Sequence, residues 1–153
     1  MKYAIDCEFI DTPSCSALIS LAVVREDLAS CYFEFEYPIE RLTPWLKENV
    51  VPHLQGGQCV ETFSGASRVI LQLMGDDKPE FWAYYGAYDW YWFARLFGGF
   101  MRLPNNWPRL YNELAATGNY VPVRPGAPAH NALNDAKSLM QTVVDKGLRP
   151  DVR

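Results

Sequence analysis

The sequence predicts an α/β fold in which a sheet opens the chain and helices pack on it. Two observations carry that prediction. Three β-type segments follow one another between Lys2 and Tyr37, joined by short polar turns. Beyond Thr43 the periodicity becomes helical, interrupted by one further strand-like run at Glu80–Tyr85. The composition agrees: 153 residues, 49% hydrophobic and 14% aromatic, suit one domain over 1–153 with a proper core.

Lys2–Phe9 reads as a strand, closed by the turn-forming Asp11-Thr12-Pro13-Ser14. Ser16–Val24 is apolar and β-branched and ends at the charged turn Arg25-Glu26-Asp27, as expected of a central strand. In Ser30–Tyr37, Cys31, Phe33, Phe35 and Tyr37 face one way and Tyr32, Glu34 and Glu36 the other, which predicts a half-buried strand and an antiparallel three-strand meander. Thr43 as N-cap and Pro44 at the first helical position start a helix, and Pro52 and Gly56-Gly57 end that segment. Ser64 is expected to cap a second helix running to Met74, closed by Gly75-Asp76-Asp77. After the strand at Glu80–Tyr85 and the break at Gly86, Tyr88–Phe97 reads as an aromatic helix, apolar nearly all round and therefore deeply buried, ending at Gly98-Gly99. A further helix is expected over Trp107–Ala116. Tyr120–Ala129 holds too many prolines for a helix and reads as a surface loop. His130–Lys146 carries an apolar stripe at Ala132, Leu133, Ala136, Leu139, Met140, Val143 and Val144, and Gly147 stops it.

The net charge of −4 argues against a duplex-DNA binder with a broad basic face. It is compatible with a nucleic-acid enzyme whose carboxylates are neutralised by metal ions. No apolar run is long enough to span a bilayer and no signal-peptide core is present, so a soluble cytoplasmic protein is expected. Cys7, Cys15, Cys31 and Cys59 form no C-x-x-C pair, and the histidines are His53 and His130, which disfavours structural zinc. Cys7 and Cys31 are expected to be small buried apolar residues.

Three features point to chemistry. Asp6 and Glu8 lie two apart on the first strand, so both carboxylates face one side while Ile5 and Cys7 face the other. Like charges forced together repel, and a divalent cation relieves that repulsion. Asp89 stands at the start of the aromatic helix, where the helix dipole is expected to keep it ionised. His130 sits at the loop–helix junction with Asp135 further along the last helix. Taken singly, each also fits a structural part: a solvated charge pair, a helix-start acid, a helix-start histidine.

Taken in order, Asp6-Cys7-Glu8, Asp89 and His130-Asn131-Ala132-Leu133-Asn134-Asp135 resemble the DEDDh 3′–5′ exonucleases, in particular the small stand-alone exoribonucleases of mycobacteria and phages. The segments Leu18-Ile19-Ser20-Leu21, Trp82–Asp89, Leu103-Pro104 and Pro108-Arg109 are similar to that group as well, so the likeness spans nearly the whole chain. The sister DEDDy class places Tyr four residues before the last Asp, where this chain has Asn131. The resemblance implies a ribonuclease H-like mixed sheet, an antiparallel meander plus parallel strands, flanked by helices. It implies release of nucleoside 5′-monophosphates from 3′ ends or overhangs of single-stranded RNA, with two Mg2+ ions for which Mn2+ substitutes. Asp6 would bridge the metals, Glu8 and Asp135 would hold the first, and Asp89 would support the second. His130 would be the general base, swinging in from the Pro-rich loop.

The chain departs from larger relatives after Glu8, where Phe9-Ile10-Asp11 replaces Thr-Gly-Leu, and ahead of Asp89, where Ala87 and Tyr88 replace Asn or His. Phe9, Ile10 and Tyr88 are therefore the expected substrate-binding positions, with Phe9 either stacking on the terminal base or lying in the core. Tyr84, Tyr85, Tyr88 and Trp90 are candidates for the base pocket or for core packing. Arg95, Arg102, Arg109, Arg124 and Lys137 are the cations near the motifs. A DNA exonuclease or a non-catalytic nucleic-acid-binding module are the alternatives. A homodimer would cover Trp45, Trp92 or Trp107 if they were exposed.

Overall fold

Alternation along the first strand sorts its side chains onto two faces, and the whole architecture follows from that division. The computed structural model describes residues 1–121 and 129–150. Within them β1 (Lys2–Thr12), β2 (Cys15–Arg25) and β3 (Ser30–Glu34) form the expected antiparallel meander. β4 (Glu80–Ala83) and β5 (Asn112–Glu113) add in parallel on the other side of β1, giving a mixed sheet of order β3-β2-β1-β4-β5. The helices are α1 (Pro44–Asn49), α2 (Phe63–Met74), α3 (Ala87–Leu96) and α4 (Ala132–Asp145). The α/β class and the mixed sheet flanked by helices are as the sequence predicted, consistent with a ribonuclease H-like fold.

Tyr3, Ile5 and Cys7 point from β1 into a core shared with Ala66 and Ile70 of α2 and Trp90, Phe93 and Leu96 of α3. Ala4 points the other way, under Ala136, Leu139, Met140 and Val143 of α4. Helices therefore cover both faces, and β1 is central between them. The register of β1 with β2 shifts between Glu8 and Phe9, where Ile19 is the extra residue. Beyond this bulge Ile10 and Ile19 join Leu42, Leu46 and Val50 in a third apolar cluster beneath α1.

Several local expectations need correction. β3 stops at Glu34 instead of Tyr37, and Glu34 does not face water. It is buried and accepts hydrogen bonds from the Tyr32 hydroxyl at 2.8 Å and from the N–H groups of Gln55 and Gly56 at 2.5 and 2.8 Å. A buried carboxylate is tolerable on those terms because donors satisfy it. α1 starts as predicted, with Thr43 Oγ1 accepting the Leu46 N–H at 3.2 Å. α2 is capped by Thr62, whose Oγ1 accepts the Gly65 N–H at 3.0 Å, and not by Ser64, which lies inside the helix. α3 is not buried all round: Asp89, Trp90, Trp92 and Phe93 are inside, while Tyr88 and Tyr91 are 41% and 40% exposed. α4 is capped by Asn131, whose side chain accepts the Asn134 N–H at 3.1 Å.

The helix expected over Trp107–Ala116 is absent. Its backbone is claimed elsewhere: Asn112 and Glu113 pair with Trp82 and Ala83 of β4, and the Asn112 amide donates to the Phe81 carbonyl at 2.9 Å. Upstream, the Arg109 guanidinium donates to the carbonyls of Leu103, Pro104 and Trp107, which fixes an irregular turn. The expected loop over Tyr120–Ala129, Arg124 included, lies largely outside the described residues. No helix among the described residues is long and apolar enough to cross a membrane. Trp92 and Trp107 are buried, leaving Trp45 as the exposed member of the three at 49%.

Candidate active site

One face of β1 delivers Asp6 and Glu8 toward the start of α4, and the first turn of α4 delivers Asp135 toward them. One carboxylate oxygen from each of the three lies within 4.8 Å of the others. They line a cavity of about 380 Å³ together with Asp89, His130, Phe9, Tyr84 and Tyr85. The capped start of α4 explains the placement of Asp135: Asn131 ends the extended chain, and the Asp135 N–H already bonds the Asn131 carbonyl at 2.9 Å. Asp89 reaches the site from α3 but stands beside the trio. It is buried, and its Oδ1 accepts the backbone N–H of Cys7 at 2.9 Å.

The electrostatics are those of crowded acids. Burial raises Asp6 well above the usual carboxylate range, and the charges of Asp89, Glu8 and Asp135 add to it. Burial, then Asp135 and Asp89, pushes Glu8 up to about 8. Asp89 rises to about 7 through burial, against the hydrogen bonds from Cys7 that favour its charged form. Burial thus works against the helix dipole that was expected to keep Asp89 ionised. Burial also raises Asp135, while the neighbouring His130 and the N–H groups of His130 and Asn131 pull it down. Four oxygen-donor side chains that repel one another suit a hard divalent cation such as Mg2+ or Mn2+ better than zinc.

His130 stands exposed at the rim in a left-handed backbone conformation, φ 60°. Its ring meets Trp45 edge to face, with centroids 4.7 Å apart at 75°. Sequence reasoning had no means of pairing these two, which lie far apart in the chain.

Of the residues expected to bind substrate, Phe9 is partly buried and packs against the core. It lines the cavity, and one side is backed by the stacked ring of Tyr88 at 4.5 Å and 20°. Tyr88 lies outside the cavity wall and donates its hydroxyl to Asp11 Oδ2 at 2.6 Å. Ile10 is a correction: it is fully buried under α1, so its side chain has no surface to offer a substrate. Tyr84 and Tyr85 line the cavity, whereas Trp90 packs in the core against Phe81 and Phe93. Arg95, Arg102, Arg109 and Lys137 do not line it, and Arg109 is occupied by carbonyls.

Glu113 was missed. From β5 its carboxylate accepts the N–H of Tyr85 and of Gly86, both at 2.9 Å, and that of Ala115 at 3.0 Å. Tyr85 has φ 53°, a left-handed conformation that costs a residue with a side chain about 1–3 kcal/mol. Gly86 is needed beside it, since a Cβ there would meet the Ala83 Cβ at 2.1 Å and the Tyr111 ring at 3.0 Å.

No family model matches the chain. It is 32% identical over 152 residues to 3′–5′ exoribonucleases of Mycobacterium tuberculosis strains CDC 1551 / Oshkosh and ATCC 25618 / H37Rv, across 92% of this chain and 90% of each relative. In three dimensions it is similar to a chain in the structure of the yeast NOT1 MIF4G domain co-crystallised with CAF1, with a TM-score of 0.56 over 98% of this chain and 81% of that one. At 13% identity that likeness concerns the fold alone. The match to the mycobacterial proteins runs nearly end to end, and on that ground the chain belongs to the family of the small mycobacterial 3′–5′ exoribonucleases.

Proposed function

We propose that this chain is a metal-dependent 3′–5′ exoribonuclease of the DEDDh type, releasing nucleoside 5′-monophosphates from single-stranded RNA 3′ ends. The observation that carries the proposal is the convergence of Asp6, Glu8 and Asp135 on one point of a cavity that also holds Asp89 and His130. The names of the mycobacterial relatives supply the polarity and the RNA substrate. The cavity volume of about 380 Å³ falls among small-ligand sites and suits a single terminal nucleotide.

Asp6, Glu8 and Asp135 would hold the metal, with Asp89 at the side supporting a second. When bound, the pair would activate a water and stabilise charge on the departing 3′ oxygen. His130, at the rim, would accept the proton from the attacking water. Phe9 bounds the space beside the acids and presents apolar surface to the terminal nucleotide.

The crowded acids give a prediction for stability. A carboxyl whose folded pKa is raised binds its proton more tightly folded than unfolded. The metal-free protein therefore loses stability as pH rises from the ordinary carboxylate range, near 4.5, through about 8 for Glu8. Mg2+ or Mn2+ should raise the melting temperature by roughly 5 °C or more at pH 8 and by less than half that at pH 5. Asp6→Asn should melt higher than wild type at pH 8 without metal and respond less to it. Differential scanning fluorimetry at both pH values measures this, and a metal-independent melting temperature would contradict it.

The function itself is tested by magnesium-dependent digestion of single-stranded RNA, duplex RNA with a 3′ overhang, and matched DNA. RNA ends should be degraded fastest. Faster loss of the DNA would replace the reading with a DNA exonuclease, and tight RNA binding without nucleotide release would replace it with a binding module.

A further inference from the structure

We infer that Glu113 is a positioning residue that locks Tyr85 in its left-handed conformation, so that the Tyr85 ring serves as a stacking surface for a nucleobase at the mouth of the cavity. The inference rests on the exoribonuclease reading and deepens it.

Tyr85 lines the cavity and is 75% exposed, so its ring is open to a ligand entering there. Its backbone sits at φ 53°, where a glycine would be at ease and a tyrosine is strained. Two hydrogen bonds from adjacent N–H groups to one carboxylate hold it there, at 2.9 Å each. The Tyr84 ring packs against it, with centroids 4.6 Å apart at 55°. Strain retained by a dedicated clamp beside a binding cavity indicates that the position of the ring matters.

The chemistry of the surroundings favours a base as the occupant. The cavity floor is acidic, and among the described residues no Lys or Arg lines its walls, so this wall does not select phosphate. What the wall offers beside Phe9 is a second aromatic ring, and every nucleobase has a π-face to place against it. Such a contact is tolerant of sequence, which suits an enzyme that removes successive nucleotides.

The test measures KM and kcat on a short single-stranded RNA and on the same RNA made abasic at the terminal or at the penultimate position. On intact RNA, Tyr85→Gly should raise KM about five- to tenfold while kcat changes less than about twofold. Its melting temperature should not fall, because glycine adopts the left-handed conformation without strain. Tyr85→Phe should restore the wild-type KM. Glu113→Gln, which keeps one acceptor oxygen and loses the other, should raise KM in the wild-type background and add nothing in the Tyr85→Gly background. Removing one of the two bases should abolish the Tyr85 effect, and that position identifies the stacked base.

An unchanged KM for Tyr85→Gly on intact RNA overturns the inference. So does a KM increase that persists on both abasic substrates, or a Glu113→Gln that lowers the melting temperature and leaves KM alone. If wild type hydrolyses the RNA and the variants show no shift, this inference alone fails. If wild type hydrolyses no RNA, the exoribonuclease reading fails and takes this one with it.

Discussion

Asp6→Ala should reduce magnesium-dependent nucleotide release from a short 3′-labelled RNA by about 10³-fold or more, and Asp135→Ala should do the same. The two residues come from opposite ends of the chain, and their oxygens approach within 4.8 Å with Glu8 as the third member. In the proposed reaction, removing one would leave the metal with an incomplete donor set. Neither loss should arise from unfolding. Asp6 without metal is a half-buried acid raised by desolvation and by the charges of Asp89, Glu8 and Asp135, so replacing it removes a repulsion as well as a ligand. Circular dichroism and the melting temperature of each variant, measured beside its rate, separate the two causes. Activity like that of wild type in either variant would sink the assignment of the site.

His130→Ala should lose about 10²- to 10⁴-fold in rate, the span of a general base, while the metal-induced rise in melting temperature survives. The separation follows from position. His130 is exposed at the rim against Trp45 and is not one of the three residues whose oxygens converge. If the metal response disappeared with the histidine, His130 would be a ligand and its proposed task would be wrong.

The acids were legible in the sequence because their spacing is a geometric statement. Two carboxylates two residues apart on a strand must share a face, and the apolar stripe from Ala132 to Val143 fixes which side of α4 meets the sheet. Asp89 lines the cavity, but the burial that raises its pKa is a depth that no sequence shows. Ile10 was misassigned for a related reason. Its place beneath α1 is built with residues of β2 and α1, of which its own segment carries no trace.

The larger omissions share a cause. Glu113 acts on backbone N–H groups 28 and 27 residues away, and a backbone group leaves no mark in sequence. The segment around it, Trp107–Ala116, was expected to be a helix. Pairing with β4 claimed its amides instead. The positive φ of Tyr85 was equally invisible, since nothing in a Tyr-Tyr-Gly sequence says which residue takes the left-handed turn.

The central claim is that these side chains form a metal-dependent exonuclease acting from the 3′ end. A 5′-labelled single-stranded RNA incubated with magnesium tests it most directly, with the released product identified by mass. The RNA should shorten one nucleotide at a time from its 3′ end, release nucleoside 5′-monophosphates, and stay intact in EDTA or with Asp6→Ala. Internal cleavage, 3′-monophosphate products, or undiminished hydrolysis in EDTA would contradict the claim.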